Sequence, residues 1–372
     1  MTKHHPVSPI NHPLGLAEGT LAPGVRVGGA GYILKRMLGR GSLSEVWLAW
    51  DRKLEHEVAL KFLPQSLLQD PNLLEHLKRE AERWRQLDHP GIARVYGLVQ
   101  DYKLTALATE YVDGWSLAAL KVDQPEKRYG LEAVTPWVRE LCAALDYAHN
   151  QAGILHLALR PTNLVINTRQ SVMLTDFGIA WTLRRIAVET DPNRLAATLG
   201  FLSPQLALGE APSVLDDVYG LGATIYVLLT GTPPLYKGQV LAQVCERTPP
   251  SMTERLAELG IRDSIPPVVE DAVALCLAKE PAKRPQSISE VLKLLERSEL
   301  PAPVESVSSP GTEEAKVPES LPSPPPQPST DEALAEAEAP EQIAAHDFVL
   351  PASTPAETGA NELPLPANRG AF

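Results

Sequence analysis

Two short polar runs at a fixed separation constrain this chain more than any other feature. The first is His156-Leu157-Ala158-Leu159-Arg160-Pro161-Thr162-Asn163. The second, Asp176-Phe177-Gly178, begins thirteen residues after Asn163, within the run Met173–Ala180. An amphipathic pattern leads into the first. Leu131, Val134, Trp137, Val138, Leu141, Leu145 and Ala148 recur at helical spacing, which predicts a core-facing helix. A core has no use for Asn163 and Asp176 among such neighbours unless a ligand engages them.

Upstream, Tyr32–Leu38 reads as a strand that runs into Gly39-Arg40-Gly41-Ser42-Leu43-Ser44-Glu45-Val46. Glycine lets backbone N–H groups come close to phosphates in such a hairpin. Gly39 and Gly41 alone are a weak signal and suit a plain hairpin turn better. The next strand, Glu57-Val58-Ala59-Leu60-Lys61-Phe62, places a lysine among apolar residues, where an unpaired ammonium is costly. A helix over Leu73–Leu87 carries Glu80 and Glu82. Leu104–Tyr111 is a further strand, and Asp113-Gly114 turns the chain into its second half.

These runs closely resemble the motifs of the protein kinases, most closely the bacterial Ser/Thr branch, over roughly residues 28–298. The resemblance implies an α+β, two-lobed fold, with a β-rich small lobe over 29–112 and a helical lobe over 113–298. It implies ATP and Mg²⁺ as ligands. Gly39, Gly41, Val46, Ala59 and Lys61 then belong to the nucleotide site, with Ser44 replacing the third loop glycine. Glu80 is the expected partner of Lys61, and Glu82 the second choice. Thr109 falls at the gatekeeper position. Glu110 to Val112 form the hinge whose backbone reads the adenine. Asn163 and Asp176 are the expected metal ligands.

Other positions also depart from the family pattern. Ala158 stands where the family has the Asp that serves as catalytic base, and alanine cannot accept a proton. Arg160 replaces a lysine near the γ-phosphate, keeping the charge on a larger planar head. Gln205 replaces a glutamate that normally pairs with the arginine of the motif reading here Lys283-Arg284-Pro285. The resemblance also assigns Asp217 to tying down the catalytic-loop backbone, and His156, Phe177, Trp84 and Val95 to a hydrophobic spine. Loss of a general base costs about 10²–10⁴-fold. The reading that follows is an ATP-binding pseudokinase acting through conformation or a protein partner. A weakly active Ser/Thr kinase, a kinase-fold nucleotidyl transferase and a nucleotide-free scaffold remain open beside it.

Composition bounds the rest. Of the net charge of −12, residues 301–372 carry −10, from 12 acidic and 2 basic residues, and they hold 14 of the 35 prolines. Such a segment buries too little apolar surface to offset its ordering entropy, so 299–372 is expected to be a disordered acidic tail. Within it, Pro322–Pro328 suits solvated polyproline II linker, with an SH3-type ligand as the alternative. The first 300 residues are nearly neutral, which speaks against a nucleic-acid surface. Residues 1–28 read as a flexible leader; His4, His5 and His12 lack further ligands to close a metal site. Three scattered cysteines argue against a disulfide framework. No run reaches the roughly 18 apolar residues of a membrane helix. A cytoplasmic protein is expected.

Overall fold

The computed structural model describes residues 21–29, 31–41, 44–66, 70–101, 104–182 and 198–296. The acidic tail and the first 20 residues lie outside them.

The amino-terminal lobe is a six-stranded antiparallel sheet in the order β1-β2-β3-β4-β6-β5. Its strands are β1 (Arg26–Val27), β2 (Tyr32–Arg40), β3 (Glu45–Asp51), β4 (His56–Phe62), β5 (Val95–Asp101) and β6 (Leu104–Glu110). The short β1 corrects the expected leader: Arg26 pairs with Ile33 and Val27 with Tyr32, and Val27 is buried. The sheet therefore starts inside the stretch read as loose. Register assigns the two faces, because cross-strand partners point the same way and neighbours along a strand point oppositely. Leu60 opposes Trp47 and Ala108, and Phe62 opposes Ala106. With Leu34 and Val58 they form one apolar face. Lys61 opposes Val46 and Leu107, and Ala59 opposes Thr109, on the other face.

Helix α1 (Pro71–Trp84) is inserted between β4 and β5. Asp70 caps it, accepting from the Leu73 N–H at 3.0 Å, and Pro71 suits the first turn, where no N–H is needed. Its inner stripe, Leu77, Ala81 and Trp84, is buried. Burying a side chain such as Leu77 contributes about 1.5–3 kcal/mol.

The second lobe is helical. It contains α2 (Leu117–Lys121), α3 (Leu131–Asn150), α4 (Ile179–Thr182), α5 (Pro204–Ala207), α6 (Val214–Thr230), α7 (Val240–Glu246), α8 (Met252–Glu258), α9 (Pro267–Cys276) and α10 (Ile288–Glu296). A small sheet, β7 (Gly114–Ser116), β8 (Leu164–Asn167) and β9 (Val172–Leu174), flanks the polar loops. Helix α6 is the lobe's axis: every residue from Asp216 to Thr230 is buried. Gly222 permits this, since a Cβ there would meet Cys276 Cβ at 2.5 Å. Helix α3 begins at Leu131, as its apolar spacing implies, and buries Val134, Val138, Leu141, Leu145 and Ala148.

Candidate active site

The loop between α3 and β8 is held by a single carboxylate. Asp217, on the buried helix α6, accepts the His156 N–H and the Leu157 N–H at 2.7 Å each, and its Oδ2 lies 2.8 Å from His149 Nε2. Burial works against this charge. The hydrogen bond and charge of His149, with His156 adding to both, still hold the carboxyl below its usual range. These bonds keep Leu157 at φ 57°, a left-handed conformation that costs a leucine about 1–3 kcal/mol. His156 Nε2 donates to the Thr175 carbonyl at 2.9 Å, and its Nδ1 accepts from the Ala158 N–H at 3.2 Å. That pattern fits a neutral imidazole, and burial pushes the ring's pKa down. His156 and Phe177 pack in a tilted pair, with ring centroids 4.5 Å apart and planes at 60°.

Two further polar residues sit on this frame. Asn163 donates from Nδ2 to the Ala158 carbonyl at 2.8 Å, which leaves its side-chain oxygen to accept from Thr162. Asp176 has φ 65°, tolerable for aspartate, and forms an ion pair with Lys61 at 2.8 Å. Burial raises its proton affinity, but Lys61, then Arg160 and His156, outweigh that and lower its pKa. Lys61, more than 100 positions before Asn163 and Asp176 in sequence, thus meets them between the lobes.

The expected Lys61–Glu80 pair is corrected. Glu80 is engaged by Arg83, whose Nη1 lies 3.1 and 3.2 Å from its two carboxylate oxygens. The same guanidinium donates to the Gly153 carbonyl of the second lobe at 2.9 Å, so Arg83 is anchored at both ends. Glu82 is likewise paired, with Arg85 at 2.9 Å. The signal for both was present as an i,i+3 spacing of opposite charges. The spine residue Trp84 packs where Gly178 has no side chain; a Cβ there would meet its Cζ2 at 2.8 Å. Only glycine fits beneath the indole.

Gly39 lies in β2 opposite Val46, and Gly41 closes the hairpin by donating to the Ser44 carbonyl at 2.7 Å. A Cβ built on Gly39 meets no atom within 4 Å, so no described protein neighbour explains a glycine there. Close approach of a ligand would. Arg40 and Glu45 form a 2.7 Å ion pair across the hairpin, which sequence reading missed. At the hinge, Glu110 donates its N–H to the Arg94 carbonyl at 2.8 Å. Tyr111 accepts from Arg36 at 3.1 Å, which straps the segment before Val112 to β2.

Ala158 is buried in the fixed loop, and Arg160 is the nearest cation in sequence. Arg160 Nη1 donates to Thr198 Oγ1 at 3.3 Å, while its enclosed Nε has no hydrogen-bond partner. Burial lowers its pKa and Asp176 opposes that shift. Below the site, Arg284 Nη2 donates to Gln205 Oε1 at 2.6 Å, so the neutral amide still ties the two segments together.

The donor set fits a magnesium nucleotide. Mg²⁺ is ordinarily held by one or two protein oxygens plus phosphate oxygens and water, and Asp176 with Asn163 offers that number. Among the described residues no cluster of three or more His, Cys, Asp or Glu forms an independent metal site. No described helix is long and apolar enough to cross a membrane.

A model of the protein kinase domain matches residues 32–294. The serine/threonine-protein kinase PknB of Mycobacterium leprae is 34% identical over 275 residues, covering 70% of this chain and 42% of that protein. A probable serine/threonine-protein kinase of Streptomyces coelicolor is 32% identical, covering 72% of this chain and 39% of that protein. The chain thus spans about two-fifths of the length of these curated relatives. The crystal structure of the Mycobacterium tuberculosis PknI kinase domain superposes with a TM-score of 0.60 at 28% identity, over 74% of this chain and 99% of that one.

Proposed function

This chain belongs to the protein kinase family, and we propose that within it the chain is a nucleotide-binding pseudokinase that acts through its conformation and a protein partner. The observation that carries this reading is Ala158. It occupies the base position of a loop that Asp217 still straps in place. Around it, Lys61, Asn163 and Asp176 keep side chains suited to phosphate and metal. A bound Mg²⁺ would neutralise phosphate charge and polarise the γ-phosphoryl group. Lys61 would hold the α- and β-phosphates, Asp176 and Asn163 the metal, and Gly39 and Gly41 the backbone cover. Val46 and Ala59 would flank the adenine, with Glu110 and Val112 offering hinge backbone groups.

No carboxylate of the loop replaces the missing base. Leu157, Leu159 and Thr162 have no such group, and Asp146 accepts a hydrogen bond from Ser289 at 2.5 Å on the far side of α3. The intact loop geometry favours one second reading, slow Ser/Thr phosphotransfer. The family's turnover of roughly 1–100 s⁻¹ less the contribution of a base leaves a small rate rather than none. Labelling with ATP tagged at the γ- or the α-phosphate separates the outcomes. Binding without transfer supports the pseudokinase, γ-label on protein supports slow kinase activity, and α-label would replace both with nucleotidyl transfer.

A further inference from the structure

The Arg160 guanidinium is the least satisfied charge at the site. It has five N–H donors, and among the described residues its one hydrogen bond goes from Nη1 to Thr198 Oγ1 at 3.3 Å. Its Nε is enclosed and unpartnered. Asp176, the carboxylate that acts on it, is already held by Lys61 at 2.8 Å. Buried guanidinium groups are ordinarily matched by a carboxylate or phosphate, because an enclosed charge without a partner is costly. Two residues earlier, Ala158 has a methyl group where the family has a carboxylate. The loop around it has not collapsed: the Ala158 N–H and carbonyl are held by His156 and Asn163. The chain has lost an anion and kept the cation and hydroxyl that would surround one.

We propose that Arg160 and Thr198, beside Ala158, form a receptor for a carboxylate supplied from outside the domain, the side chain of an Asp or Glu on a protein partner, which completes the site that Ala158 leaves without a base. The planar guanidinium matches a carboxylate through two parallel N–H donors, and the Thr198 hydroxyl adds a third. Arginine suits this better than lysine: its terminal nitrogens present a paired, planar edge to a carboxylate, where an ammonium presents a point charge. The inference rests on the nucleotide-binding reading above. With ATP bound, the supplied carboxylate takes the proton of an acceptor hydroxyl. The acceptor oxygen then bonds to the γ-phosphorus, and the bond from that phosphorus to the β,γ-bridging oxygen breaks. ADP departs with the electron pair, and the proton remains on the carboxylic acid. Phosphotransfer is then conditional on a partner that presents an acidic side chain.

The test is chemical rescue of the full chain with formate, the smallest carboxylate. Transfer of γ-label to a basic protein acceptor is measured across a formate titration, with sodium chloride at equal ionic strength as control. A saturable rise of about tenfold or more is expected, a fraction of what a positioned base supplies. Arg160→Gln should abolish the ratio of rates with and without formate, and Arg160→Lys should keep part of it. Ala158→Asp should be insensitive to formate. If Arg160→Gln does not fold, Thr198→Val carries the same comparison. A short peptide with one central glutamate should substitute for formate where its glutamine counterpart does not. Rescue by formate but not by this peptide would overturn the assignment to a protein side chain. No rise with formate in a chain shown to bind ATP, or an equal rise in Arg160→Gln, overturns the carboxylate site and leaves the nucleotide reading standing. Absence of ATP binding removes the nucleotide reading itself.

Discussion

Lys61 forms its ion pair with Asp176, at 2.8 Å, while Glu80 on α1 is held by Arg83. In this arrangement the lysine neutralises the side chain proposed to carry the metal. In the proposed nucleotide-bound state, Lys61 would turn to phosphates and Asp176 to magnesium. Arg83 controls how readily Glu80 can follow, because its guanidinium also grips the Gly153 carbonyl across the lobes.

Replacing Arg83 tests that control. Arg83→Met removes the competing cation and the Gly153 anchor but keeps helix propensity. Arg83 is half exposed, so its pair with Glu80 contributes only about 0.2–1 kcal/mol. Affinity for Mg-ATP by titration calorimetry should therefore rise by up to about fivefold. An unchanged or weaker affinity would mean that Arg83 does not restrain Glu80.

The route from sequence to this site was partly readable. Residues that act within one short segment were legible, because spacing alone sets their geometry. The strand carrying Lys61 is β4, and its lysine meets Asp176 of the Asp176-Phe177-Gly178 run at 2.8 Å. The apolar stripe of α3 likewise marks its buried face. The partner of Glu80 was not legible. Arg83 and Lys61 are both plausible cations for it, and the choice depends on where Gly153 lies and on how Trp84 seats α1 over Gly178. The strand Arg26–Val27 escaped for another reason. Two residues have no period, and only pairing with Tyr32 and Ile33 makes them a strand.

Acid should weaken the fold from two sides. His156 is buried and neutral with a lowered pKa, so protons favour the unfolded chain once pH falls below about 6.5, the unperturbed value. Asp217 has a lowered pKa, so its contribution is present above about pH 3.9 and is lost as pH falls further. The melting temperature should be highest near neutrality and fall in two stages on acidification. Replacement of His156 by Phe should flatten the upper stage; a fall between pH 7 and 5 that is the same in this variant would contradict the assignment.

Trp84 seals the junction of α1 with Gly178 and is almost fully buried. Trp84→Ala should cost about 3–5 kcal/mol of stability, as for other large core truncations. Denaturant unfolding measures this directly, and a loss below about 1 kcal/mol would place the indole outside the cooperative core.

Restoring the base should restore chemistry. Ala158→Asp places a carboxylate beside Arg160, in a loop whose backbone is already fixed by Asp217. It should raise γ-phosphoryl transfer by up to about 10²-fold, equivalent to about 2.7 kcal/mol of barrier. Autophosphorylation and transfer to a basic protein, with Asp176→Ala as the blank, read the gain. No rise above that blank would mean that the site departs from a kinase at more than Ala158.

The central claim is that this chain binds Mg-ATP through Lys61 and Asp176, and a thermal-shift titration with ATP, with and without Mg²⁺, tests it most directly. At 100 times its Kd the ligand should stabilise the wild-type fold by about 2.7 kcal/mol. The shift should shrink without metal and disappear in Lys61→Ala. No shift in the wild type, or an equal shift in Lys61→Ala, would contradict the account.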